Sequence, residues 1–137
     1  LRSTLKRKSC EFTFEVKSLQ SNSIRFDPSL GVYLGKAQVD ASDRRPVTLP
    51  DGSQIETTCL LAGEFDILAI NLFQFKEEWI FGFALNRDLP RSRHKVYTDF
   101  QKQHLLATLV DVTLPVQPPF STDPFQLLDM IIEERSI

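Results

Sequence analysis

Residues 11–18 read Glu11-Phe12-Thr13-Phe14-Glu15-Val16-Lys17-Ser18. Phe12, Phe14 and Val16 alternate with Glu11, Thr13, Glu15 and Lys17, a period of two made from aromatic and β-branched residues. That spacing predicts a strand over Cys10–Gln20, with all its charge on one face. Glu15 and Lys17 then project from the same side, about 7 Å apart along the chain.

The stretch before it, Leu1–Lys8, carries Arg2, Lys6, Arg7 and Lys8 and no acid, and reads as a frayed arm or the end of a helix. Beyond Ser18 the pattern weakens. Asp27-Pro28 and Leu30-Gly31 mark turns, and Gly31–Gly35 reads as a short strand. Ala41–Arg45 is polar and reads as a loop. Pro50-Asp51-Gly52-Ser53 between Val47-Thr-Leu and Ile55-Glu-Thr-Thr predicts a hairpin.

The most apolar stretches follow. Phe65–Phe73 and Trp79–Leu85 are nearly continuous apolar runs, as strands buried on both faces of a sheet require, with a helix as the competitor for the first. Asn86–Lys95 is a polar loop. Thr98, with Gln101 three residues on, sets a capping box for a helix whose stripe is Phe100, Leu105, Leu106, Leu109 and Val110. Pro115–Pro119 ends it as a stiff connector. Asp123, Pro124 and Gln126 then open a terminal helix. One α/β domain over residues 1–137 is the expected organisation, with 115–119 joining its last helix.

Composition bounds the function. With 137 residues, 42% hydrophobic and 25% charged, the chain can bury a core and is not a disordered segment. Its longest apolar stretch, Phe65–Phe73, is interrupted by Asp66 and Asn71, well short of the roughly 20 residues of a membrane helix. A formal net charge of −2 excludes a polycation, so any nucleic-acid contact must come from local basic patches. Cys10 and Cys59 lack metal or framework spacing and read as free thiols of a reducing, cytoplasmic compartment.

Glu15 and Lys17 form a pair suited to phosphodiester hydrolysis. A carboxylate can hold Mg²⁺, a hard cation that takes oxygen ligands. An ammonium beside it can orient water or stabilise phosphate charge. On its own, the spacing also fits an exposed, salt-bridged strand face. Glu11 lies on the same face, farther back. Asp66 either joins the metal or has a structural role, capping the strand or pairing with an arginine. Glu64, beside Gly63, reads as exposed.

In sequence order Phe14–Ser18, a variable hairpin region, Glu64–Leu72 and Trp79–Leu85 resemble the PD-(D/E)xK nuclease superfamily over roughly residues 10 to 110. The resemblance implies a restriction-endonuclease-like core, a mixed central sheet with flanking helices. It implies an Mg²⁺-dependent endonuclease acting on DNA, of restriction or defence type, in which Glu15 is the motif carboxylate and Lys17 the motif lysine. Asp66 and Glu11 are the further metal-ligand candidates. Arg7, Lys8, Arg87, Arg91, Arg93 and Lys95 are candidates for holding the DNA backbone, and two-fold duplex symmetry suits a homodimer. The family's metal-binding Asp normally precedes the E-x-K strand, and no Asp precedes Glu15 here. The expectation is that this acid, with the family's leading helix, belongs to a segment upstream of Leu1. The alternatives are that another acid substitutes, or that the domain is an inactive nuclease-fold binding module.

Overall fold

A computed structural model describes residues 1–136. The alternating segment is a strand, and it is not alone at its end of the molecule. Strand β1 (Arg2–Arg7) and strand β2 (Cys10–Ser18) form an antiparallel hairpin with Arg2 opposite Glu15 and Arg7 opposite Cys10. This replaces the frayed arm or helix end expected for Leu1–Lys8. The connecting pair Lys8 and Ser9 have φ of 51° and 64°, the backbone of a two-residue hairpin turn that usually carries Asn and Gly. With neither residue present, the turn left no mark in the sequence.

Two further hairpins follow. Strand β3 (Arg25–Asp27) pairs with β4 (Val32–Gln38) across a turn in which the Asp27 carboxylate accepts from the Ser29 amide at 3.0 Å. Strand β5 (Asp40–Thr48) pairs with β6 (Gln54–Cys59) across the expected Pro50–Ser53 turn, where Asp51 accepts from the Ser53 amide at 2.9 Å. Ala41–Arg45 is thus strand and not loop. A register shift between Asp40 and Arg45 breaks the alternation that would have revealed it.

The apolar runs become β7 (Ile67–Asn71) and β8 (Phe81–Leu85), joined through the single turn of α1 (Phe73–Lys76). Helix α2 (Asp99–His104) has the predicted capping box between Thr98 and Gln101. It stops at His104, whereas its apolar stripe was expected to continue through Val110. Leu105 is extended (φ −109°, ψ 131°), and Leu109–Leu114 form β9 opposite β4. There Val110 and Val112 are buried while Leu109 and Asp111 are exposed, an alternation of two that pairing with β4 stabilised over a helix. Asp123 caps α3 (Pro124–Arg135), accepting from the Phe125 and Gln126 amides, as its sequence predicts.

The fold is mixed α/β and mostly strand. The central sheet has the order β1-β2-β7-β8, with β2 parallel to β7 and the other neighbours antiparallel. Its two faces are covered differently. Phe12, Ile67 and Leu85 pack against Leu127, Leu128 and Ile131 of α3. Leu68, Ile70 and Ala84 pack on the other side against Ala37, Val39, Val110 and Val112. Each fully buried Leu, Ile, Val or Phe side chain among these contributes about 1.5–3 kcal/mol. Helices were expected to flank the sheet, yet strands cover this second face. The crossover from β2 to β7 runs through β3–β6 instead of a helix. Among the described residues no helix is long and apolar enough to cross a membrane.

Candidate active site

Register decides where the E-x-K pair points. Glu15 lies opposite Leu68 and Lys17 opposite Ile70 on the parallel neighbour β7. Leu68 and Ile70 face the strand-covered core, so Glu15 and Lys17 point to that side, away from α3. The pair is therefore not a solvated strand face. Glu15 is 6% exposed.

A buried carboxylate needs partners. Arg2, directly across the hairpin, donates from Nε to Glu15 Oε1 at 2.6 Å. Lys17 Nζ stands 3.8 Å from Glu15 Oε2 and donates to the Asp40 carbonyl at the start of β5, at 2.7 Å. Arg2 also reaches a second acid, its Nη2 donating to Glu64 Oε2 at 3.0 Å. Glu64 is held on its other oxygen by Arg45 of β5 and by the Leu61 amide at 3.0 Å. Its side chain is 16% exposed, which corrects the reading of Glu64 as an exposed residue.

The electrostatics follow from this packing. Burial works to raise the Glu64 carboxyl, but hydrogen bonds from Arg45, the Leu61 amide and Arg2 outweigh it and hold Glu64 below the usual carboxylate range. Burial likewise opposes the charge of Arg2, and the hydrogen bonds to Glu15 and Glu64 overcome it and raise the guanidinium pKa. The result is a mixed-charge cluster of Arg2, Glu15, Lys17, Arg45 and Glu64 where the β1–β2 hairpin meets β5.

The other expected site residues lie elsewhere. Asp66 just precedes β7, and both its oxygens are committed. One accepts from the Thr13 amide at 2.8 Å, the other from Arg135 Nη2 at the end of α3, at 2.9 Å. Its role is to fasten β2 and α3 together. Glu11 is exposed and sits four residues back along β2, about 13 Å from Glu15. Arg7 and Lys8 are at the hairpin tip, roughly 17 Å along β1 from Arg2, and both pair with Asp129 of α3. Arg87 pairs with Glu134, and Arg91 donates to the carbonyls of Gln103 and Leu89. Arg93 and Lys95 are exposed in the loop before α2. Arg87 and Arg91 line one concavity with Gly63, Phe65 and Asp66. The free thiols Cys10 and Cys59 are not bridged.

Compared with known proteins, the chain matches no family model, no curated protein and no solved structure. The site must be read from its own geometry.

Among the described residues no group of three or more His, Cys, Asp or Glu side chains comes together as a metal cage would require. Mg²⁺ does not demand one, because it is commonly held by one or two carboxylates with water and substrate phosphate completing the shell. Glu15 and Glu64 offer such hard oxygen donors, and one guanidinium already bridges them. Three cations, Arg2, Lys17 and Arg45, already compensate these two acids.

Sequence reasoning did not place Arg2, Arg45 and Glu64 beside Glu15. Glu64 carried no usable signal, because the parallel register sets Phe14 beside Ile67 and so places the residues leading into β7 beside Thr13 and the residues before it, not beside Glu15. Arg2 carried none, since Arg2–Arg7 has no apolar periodicity to mark it as a strand.

Proposed function

We propose that this domain is an Mg²⁺-dependent endonuclease that hydrolyses DNA phosphodiester bonds, with a restriction-endonuclease-like core of restriction or defence type. The observation that carries the reading is a buried Glu15 with Lys17 two residues on, both on the inner face of a mixed sheet beside a second acid, Glu64. Burial argues against an incidental surface pair. An exposed pair of this kind contributes under about 1 kcal/mol, whereas a buried carboxylate carries a desolvation cost that stability alone does not reward.

In this reading Glu15, the motif carboxylate, would hold the cation. Mg²⁺, when bound, polarises the scissile phosphate and lowers the pKa of water. Lys17 has the mechanistic task nearest the reacting atoms. Its ammonium, fixed by the Asp40 carbonyl, orients the attacking water or offsets the charge that develops on phosphate. Arg93 and Lys95 are exposed cations available to DNA phosphates.

The test is nicking of supercoiled plasmid with Mg²⁺ by the wild-type chain, Lys17→Ala and Glu15→Gln. Cleavage by the wild type, lost in both variants and absent in chelator, supports the reading. Equal cleavage by Lys17→Ala removes the mechanism.

A second reading is a nuclease-fold module that binds without cutting. It is favoured by the direct neutralisation of Glu15 by Arg2 and by the absence of a three-acid group among the described residues. Salt-dependent DNA binding without Mg²⁺-dependent nicking would select it.

A further inference from the structure

We infer that the concavity between the end of α3 and the Gly63 turn is a binding site for a small phosphate monoester carried on an apolar or aromatic body. The cleft has a volume of about 400 Å³, the size of a small-molecule site. Its floor is apolar, set by Phe65, Leu85 and Ile131, and the guanidiniums of Arg87, Arg91 and Arg135 stand around it. Two carboxylates, those of Asp66 and Glu134, answer the three cations. The charge of the lining therefore does not cancel, and one cation is in surplus.

The surplus cation is Arg91. Arg135 pairs with Asp66 at 2.9 Å and Arg87 pairs with Glu134, whereas Arg91 forms no ion pair among the described residues. Two main-chain carbonyls hold it instead, Gln103 accepting from Nε at 3.0 Å and Leu89 from Nη1 at 2.8 Å. Carbonyls fix the direction of a guanidinium without neutralising it. The backbone is fixed as well: Arg91 bridges to Leu106, and the next amide, of Ser92, donates to the Leu105 carbonyl at 2.9 Å. Its Nη2 has no acceptor among the described residues, so an oriented donor with uncompensated charge lines the cleft. Arg87 adds a second, since Glu134 engages only its Nη1. A phosphate suits these two better than a carboxylate, because its three terminal oxygens can be reached from two directions while a carboxylate's two lie along one edge. Inorganic phosphate would leave the apolar floor uncovered, and a neutral ring would leave Arg91 unanswered. A ligand that joins the two halves uses both. The cleft contains neither Glu15 nor Lys17 and stands apart from the nuclease reading.

The experiment is a titration of the wild-type chain, Arg91→Gln and Arg93→Gln with phenyl phosphate, phenol and inorganic phosphate, followed by amide NMR, with circular dichroism confirming the fold of each. Arg93 is an exposed cation outside the lining of this cleft and controls for general basic attraction. The expected result is phenyl phosphate bound at least fivefold tighter than phenol or inorganic phosphate, with that affinity lowered at least fivefold by Arg91→Gln and less by Arg93→Gln. A smaller margin over either half, a smaller loss in folded Arg91→Gln, or as large a loss in Arg93→Gln overturns the inference, as does the lack of saturable binding at millimolar phenyl phosphate. Benzoate tests the head group, and affinity for it equal to that for phenyl phosphate overturns the assignment to phosphate. Should Arg91→Gln fail to fold, the wild-type amides of Gly63 and Asn86 decide. Their displacement by phenyl phosphate, at a concentration where inorganic phosphate leaves them unmoved, supports the site, and unmoved amides overturn it.

Discussion

Arg2 and Glu15 are Cα partners across the β1–β2 hairpin, and their side chains meet at 2.6 Å between Nε and Oε1. A pairing register fixed by backbone hydrogen bonds thus sets a cation directly against the one buried acid of the E-x-K strand. Charge neutrality at Glu15 is built into the sheet.

This pair should be coupled energetically. Arg2→Ala leaves Glu15 interior with only more distant positive charge, and is expected to cost about 1–3 kcal/mol, less than a fully buried pair because Arg2 is partly exposed. The double variant Arg2→Ala/Glu15→Gln should cost less than the sum of the single changes by about 1 kcal/mol or more. Urea unfolding of the four proteins measures it, and additive costs would mean that the two groups do not stabilise one another.

Glu64 predicts an acid-side loss of stability. Its carboxyl is held below the usual range in the folded protein, so the charged form is favoured by folding. Its contribution is complete above the unfolded carboxylate pKa of about 4.3 and is lost as pH falls through the lower, folded value. Thermal midpoints of the wild type and Glu64→Gln, followed from pH 7 to about pH 3, should converge as acidity rises. A gap that stays constant over that window would show that Glu64 acts through packing alone.

The hairpin turn predicts a stabilising change. Ser9 has φ 64°, where glycine meets no Cβ penalty. Ser9→Gly is expected to gain about 0.5–1 kcal/mol, seen as a higher urea midpoint at unchanged slope, while Ser9→Val should lose stability. No gain in Ser9→Gly would mean that its extra unfolded-state freedom cancels the relief.

Asp66 separates fastening from catalysis. Asp66→Asn can still accept from the Thr13 amide while losing charge against Arg135, and should cost about 1 kcal/mol or less. Asp66→Ala leaves the Thr13 amide without that acceptor and should cost about 1–3 kcal/mol. Calorimetry should find Mn²⁺ affinity unchanged in Asp66→Asn. A tenfold loss there would return Asp66 to the metal site.

The residues themselves determined the strand at 10–18, the hairpin over Pro50–Ser53, the two apolar strands, and the caps Thr98 and Asp123, because each is a local pattern acting on its own backbone. They also set Glu15 and Lys17 on one face, since a strand alternates. Tertiary pairing alone decided the rest. Leu109–Leu114 became a strand because β4 offered it a ladder, although the same leucines and valine suited a helix. Arg2–Arg7 became a strand with no apolar rhythm of its own, because β2 satisfied its backbone. Which way the acid and amine turned, and that Arg2, Arg45 and Glu64 would surround them, depended on register between segments as many as 62 residues apart. Contacts of that range are decided by how the sheets close on one another, and no periodicity within a single segment encodes them.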